Sequence, residues 1–264
     1  METFDSYHVA LARPLPEMKK LADAMEEFHR FSFEEGMAAA KQAWGFAGED
    51  LTRANADLLA AKCAKHGIKT TIIPSKEISS LRPVKEIEKT AISPSGLNWT
   101  THEKETGFLS FESVNIIAAA PIKIETIKVQ VSTEGPSSLE RISKTAVTLT
   151  TGIPLGFGGK SKEVRKEIRQ TELTFLLDII STDERLRINS DKFDYTCLGK
   201  KKEYSSQLNF RVLLEELASF ALKAEKNQGA QAILAKQPLN MLPYKTEKHL
   251  EKECRWMLTI KRFL

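Results

Sequence analysis

The chain has 264 residues, about 1.8 times a typical domain of roughly 150, which allows two small domains or one large one. Apolar residues at 41% and charged residues at 28% exclude a collagenous, disulfide-framed or wholly disordered polymer. The formal charge of +4 belongs to one segment: from Ile122 to Gln170 nine Lys and Arg face five Glu, nine minus five is four, and the balanced remainder excludes a basic domain of the kind that coats DNA.

Residues 7–13 (YHVALAR) read as a short strand stopped by Pro14 and Pro16, after which Met18, Leu21, Ala22, Met25 and Phe28 recur at helical spacing. Ser32 with Glu35 three residues on is a capping-box start, and Met37, Ala40 and Trp44 supply the apolar face of a second helix. A short link over 45–50 (GFAGED), loop or extended, leads to a third helix. That helix opens after Asp50 or Thr52, carries Ala56, Leu59, Ala60 and Cys63 on one side, and ends at His66 and Gly67, where glycine can adopt the left-handed C-cap. Residues 68–74 (IKTTIIP) close the unit as a strand.

This pattern resembles the C-terminal domain of the ribosomal stalk protein and the related Clp protease adaptor. The elements that carry the likeness are the opening strand, the helix pair with its Ser-x-x-Glu start, the third helix ending in KHGIKTTII, and the final strand, over residues 6–74. The resemblance implies a module that presents a face to protein partners and bears no catalytic group. The link over 45–50 departs from the stalk family's hydrophobic strand and lysine-rich helices, so no partner-binding residue carries over position by position.

From Val84 the periodicity changes from helical to alternating. Segments starting at Val84, Gly96, Gly107 and Val114 read as short strands, with residues 93–96 (SPSG) the clearest turn. A second group starts at Glu172, Leu186 and Phe193, and a helix begins at Ser205 or Ser206 with Phe210, Leu213, Leu214, Leu217 and Ala218 on one face. Between the groups, residues 132–145 and 152–170 are rich in Gly, Ser, Pro and charge and read as a long loop, partly mobile. A short helix from Gly229, an extended link from Pro238 to Pro243, and a last helix from about Thr246 with Leu250, Cys254 and Met257 on one face complete the chain.

Leu97 to Trp99, residues 111–121 (FESVNIIAAAP), and residues 186–199 leading into 209–217 resemble the bacterial pleckstrin-homology-like domains, whose seven strands and C-terminal helix imply a binding platform. The fold class expected is therefore α+β. It comprises a small βααβ-type α/β module over 1–78, a linker over 79–83, a pleckstrin-homology-like β domain over 84–225 with a basic Gly-rich insertion at about 124–170, and a helical extension over 226–264.

The sharpest motif is residues 154–161 (PLGFGGKS), where Gly159, Lys160 and Ser161 match the end of a phosphate-cradling loop and Asp178 can be imagined as its metal-binding aspartate. Pro154 stands where that loop needs a glycine, without an N–H and unable to take positive φ, so a flexible glycine loop is the better account and nucleotide binding an alternative. Cys63 and His66 would share a helix face, but no further ligand pair completes a metal site, and they read as a buried thiol and a C-terminal helix charge. The neighbouring acids Glu26 and Glu27 point apart on a helix and read as a solvated face. Phe193 and Tyr195 read as one core-facing side of a strand, and Trp99 and Trp256 as core.

No catalytic residue, metal or cofactor is assigned. No run approaches the ~18 apolar residues of a membrane span. No signal peptide is legible before Arg13, and three distant cysteines fit reduced thiols, so a cytoplasmic setting is expected. The function expected is a non-enzymatic adaptor or scaffold with a protein partner. The alternative is a binder of anionic lipid or RNA through Lys160, Lys162, Arg165, Lys166 and Arg169, which a helix over 163–170 would align, apart from Lys160, in one cationic stripe.

Overall fold

A computed structural model describes residues 5–134, 162–238 and 244–263, of which 123–134 and 162–172 by their backbone alone. The first strand, β1 (Tyr7–Leu11), sits at the centre of a three-stranded sheet and pairs antiparallel with β2 (Phe46–Leu51) and β3 (Thr70–Pro74). The link over 45–50 is thus resolved as a strand. Helices α1 (Met18–His29), α2 (Phe33–Gln42) and α3 (Arg53–Lys65) close one face. Ser32 makes the complete capping box with Glu35, Thr52 caps α3, and Gly67 takes φ +74 beyond its end. Strand alternation sends Val9 and Leu11 into a core with Leu21, Met25, Leu59 and Cys63, and Ala10 into a different core on the other face.

The second sheet has seven strands in the order β10-β7-β8-β9-β4-β5-β6. They are β4 (Val84–Ser93), β5 (Gly96–Thr101), β6 (Thr106–Ser110), β7 (Val114–Glu134), β8 (Lys162–Ser181), β9 (Arg185–Asn189) and β10 (Glu225–Lys226). Strand β4 serves two neighbours: Val84 to Glu86 run parallel to β9, and Ile87 to Ser93 run antiparallel to β5. The α+β class is as the sequence indicates. Within 124–172 the parts of β7 and β8 belong to a second compact unit, while residues 1–123 and 173–264 form the first.

Two expectations change. Residues 193–198 do not form a strand: Asp194 accepts hydrogen bonds from the Thr196 amide and hydroxyl and starts a 3-10 segment, Tyr195–Lys201, in place of a ladder. Phe193 and Tyr195 are buried all the same, as are Trp99 and Trp256. Residues 163–170, read as part of the long loop and as a helix only in the anionic-binding alternative, lie in β8, a conformation that Val164 and Ile168 favour. The long loop gives way to strand up to Glu134 and from Lys162; its remainder lies outside the described residues.

Both faces of the large sheet are covered. Ile117, Ala119, Phe175, Leu177, Leu186 and Ile188 face helices α4 (Ser206–Phe220) and α5 (Gln228–Leu234), where Phe210, Leu213 and Leu217 meet them. Ile116, Ala118, Ala120, Leu176 and Ile180 face the other way, into a core with Trp44, Phe46, Ile73 and the last helix, α6 (Glu247–Ile260). The passage from β3 to β4 coincides with the change of periodicity, yet this core takes residues from both sides of it.

Helix α6 therefore lies between the two sheets. Its Trp256 indole donates to the Leu11 carbonyl at 2.8 Å, and Thr259 accepts from the Ser79 amide at 3.0 Å. Gly45, at φ +94, leaves no room for a side chain, since a Cβ there would lie 2.2 Å from the Trp256 ring. Deep under the helix, Glu253 accepts hydrogen bonds from Asn227 Nδ2 at 2.9 Å, from the Gln228 amide at 3.2 Å and from the Tyr244 hydroxyl. Asn227 in turn exchanges two bonds with the backbone of Ala119 in β7. Burial raises the pKa of Glu253 against the pull of these donors.

A carboxyl whose pKa is raised by folding contributes stability below its unfolded value of about 4.5 and loses it as pH rises through the folded value. Denaturant titrations at about pH 5 and about pH 8 should show a stability decrease with pH that is smaller in Glu253→Gln, and an equal slope in both proteins would refute this.

Candidate functional site

A cleft of about 880 Å³ opens between α6, the segment from Ser75 to Val84 and the end of the small sheet; a hollow beside Phe111 and Phe220 has about 480 Å³. One wall is a stripe of α6. Lys248, Glu251, Lys252 and Arg255 share it because residues three, four and seven apart stack on one helix face. Arg82 lies on the opposite wall, and Arg185 reaches the cleft from β9. Five cationic side chains and two carboxylates, Asp50 and Glu251, line the space.

Strand pairing builds the charged floor. Asp178 on β8 faces Arg187 on β9 with Arg185 two residues away, so all three project from one face of the sheet. Arg185 donates to Asp178 Oδ2 at 2.9 and 2.6 Å, while Arg187 donates to Oδ1 at 2.6 Å and to Oδ2 at 2.9 Å. The three residues are buried, Asp178 completely. Burial works against the charge of Arg187, and Asp178 together with Glu247 and Glu251 outweighs it, so the guanidinium pKa is raised. Two guanidiniums around one carboxylate leave a positive remainder, which α6 answers with Glu251 at 3.1 Å from Arg185 and Glu247 at 2.8 Å from Arg187. The aspartate imagined as a metal ligand is thus committed to arginine.

The other cations differ in their engagement. Lys252 meets Glu49 at 2.5 Å and Arg255 meets it at 3.6 Å, tying α6 to β2. Arg82 spends one N–H on the Thr182 carbonyl at 3.2 Å. Lys248 is exposed, with no ion pair among the described residues. His8 lines the far end. Its Nε2 lies 3.4 Å from Asp50, its buried Nδ1 has no hydrogen-bond partner among the described residues, and burial lowers its pKa in spite of Asp50 and Glu49.

Of the residues singled out from sequence, Lys160, Ser161 and the rest of the glycine-rich motif lie outside the described residues. Lys162, Arg165, Lys166 and Arg169 lie on β8 in the second unit, where the helical spacing that would have aligned them is absent. Cys63 and His66 form no pair: burial pushes the Cys63 thiol up to about 11, and His66 meets Glu27 at 2.9 Å. Glu27 is no free surface acid either, since Lys65, Lys62 and His66 hold it down to about 2. Among the described residues no cluster of His, Cys, Asp or Glu could hold a metal ion, and no helix is long and apolar enough to cross a membrane. The cleft residues went unnoticed in the sequence; their one local signal is the Lys248, Lys252, Arg255 spacing on a predicted helix.

Removing Asp178 would leave two buried guanidiniums facing each other, so Asp178→Ala should cost roughly 3–5 kcal/mol. Glu247→Gln, at an exposed carboxylate, should cost less than about 1 kcal/mol. Denaturant unfolding of both variants measures this, and equal small losses would mean that the cluster is not what holds α6 to the sheet.

No family model matches the chain, and no curated protein or solved structure matches it either.

Proposed function

We propose that the chain is a non-enzymatic binding protein, an adaptor or scaffold, that engages an anionic partner at the cleft beside α6. The observation that carries this reading is that one cleft gathers Lys248, Lys252 and Arg255 of α6 with Arg82 and Arg185. A concave set of like charges attracts an anion more strongly than the same charges spread over a flat surface, because their fields add at one place. The resemblance of residues 6–74 to partner-presenting modules points the same way. The cysteines among the described residues are free thiols, which suits a reducing cytoplasm.

A second reading, binding of anionic lipid or RNA through Lys160, Lys162, Arg165, Lys166 and Arg169, is favoured by the concentration of the chain's excess charge between Ile122 and Gln170. One experiment separates the two. The wild-type chain, Arg82→Glu with Lys248→Glu, and a variant with those five basic residues changed to Gln are compared for retention of an anionic partner at rising salt. The cleft reading expects salt-sensitive retention that the double variant loses and the five-residue variant keeps. The opposite order would transfer the function to the second unit, and retention by both variants would refute both.

A further inference from the structure

We propose that the cleft takes a carboxylate-rich peptide in extended conformation, and that Glu251 occupies the place of one of the partner's carboxylates. This inference rests on the binding reading above and names the ligand class for the same cleft.

Three observations carry it. The first is the way Arg185 and Arg187 are filled. Their inner edges are saturated by Asp178, and the group that comes to their outer edge from the cleft side is a carboxylate, Glu251 Oε1, at 3.1 Å from Arg185 and 3.7 Å from Arg187. The Glu251 side chain is 38% exposed while Arg185 is 4% exposed, so a part-exposed acid covers a buried cation. Such a pairing gives modest energy to the acid and a geometry that already suits a planar carboxylate from elsewhere.

The second is Arg82 and Lys248, which lack a carboxylate partner among the described residues. Arg82 keeps most of its N–H donors, and Lys248 keeps its full ammonium. These two sites and Arg185 make a set of three cation positions lining one space.

The third lies in the wall between them. The Ser79 amide is bonded to Thr259, but the amides of Ser80, Leu81 and Arg82 find no acceptor among the described residues. This non-regular segment is half-exposed to exposed. An unpaired backbone amide beside a cleft is what an added extended chain satisfies with a carbonyl, while its alternate side chains address pockets along the way. A cleft of about 880 Å³ suits several residues of peptide and is far larger than a single inorganic anion.

The test uses the full chain, a fluorescein-labelled peptide of alternating Glu and Gly, the matching Gln and Gly peptide, and inorganic phosphate as competitor, read by fluorescence anisotropy at low ionic strength. Saturable binding of the acidic peptide alone is expected. Arg82→Gln with Lys248→Gln should weaken it about tenfold, and Glu251→Gln, which removes the resident competitor, should tighten it about threefold. Lys19→Gln with Lys223→Gln removes the same charge from exposed positions elsewhere and should leave the affinity unchanged. Melting curves establish that each variant is folded. Equal weakening in both double variants, or weaker binding in Glu251→Gln, overturns the proposal. Failure of the acidic peptide while phosphate raises the melting temperature of the wild-type chain but not of Arg82→Gln with Lys248→Gln refutes the carboxylate class and leaves the anion-binding reading standing; failure of both refutes the two together.

Discussion

The position of α6 between two sheets is the constraint on which the rest of the protein depends. The helix covers the large sheet with Leu250, Cys254, Met257 and Ile260 and covers Trp44, Phe46 and Ile73 of the α/β module in the same core. Few helices can do this with an apolar stripe alone, because a helix buried on opposite sides has little surface left for charge. Here the buried charges of α6 and the sheet beneath it are answered, while the Trp44 indole N–H in the same core finds no acceptor among the described residues. Glu253 receives donors from α5's cap and from Tyr244, and the guanidiniums below α6 are answered by Asp178.

The same placement makes the cleft. The Lys248, Glu251, Lys252 and Arg255 face of α6 and the segment from Ser75 to Val84 line the same space. The ion pairs that hold the helix therefore also form the cleft's charge pattern. Lys252 and Arg255 are held by Glu49, Arg185 is shared between Asp178 and Glu251, and Arg82 and Lys248 have no carboxylate partner among the described residues. The cleft's cations differ in whether a carboxylate of the chain itself has reached them.

Much of the local architecture was legible because local physics decides it. The capping box at Ser32, the cap at Thr52, the left-handed Gly67 and the cap at Ser205 are set by residues within one turn, and the structure shows each of them. Misreadings fall where two local choices are close in energy. Residues 163–170 have apolar positions that fit a helix and β-branched residues that fit a strand, and the neighbouring strand decides. At 193–198 the alternation of Phe193 and Tyr195 predicted their burial, but Asp194 captured the backbone for a 3-10 segment.

The sequence by itself determined the α+β class, most element starts and the burial of Trp99, Trp256, Phe193 and Tyr195, since propensity, capping and periodicity are properties of short stretches. Only the tertiary structure decided which charges meet. Glu253 on an otherwise amphipathic helix, Asp178 in an apolar strand and Arg82 after a serine pair look like unrelated polar residues. They acquire their roles from partners 26, 9 and 100 positions away, at Asn227, Arg187 and Thr182. Burial and ion pairing depend on distance in space, and separation along the chain carries almost no record of it.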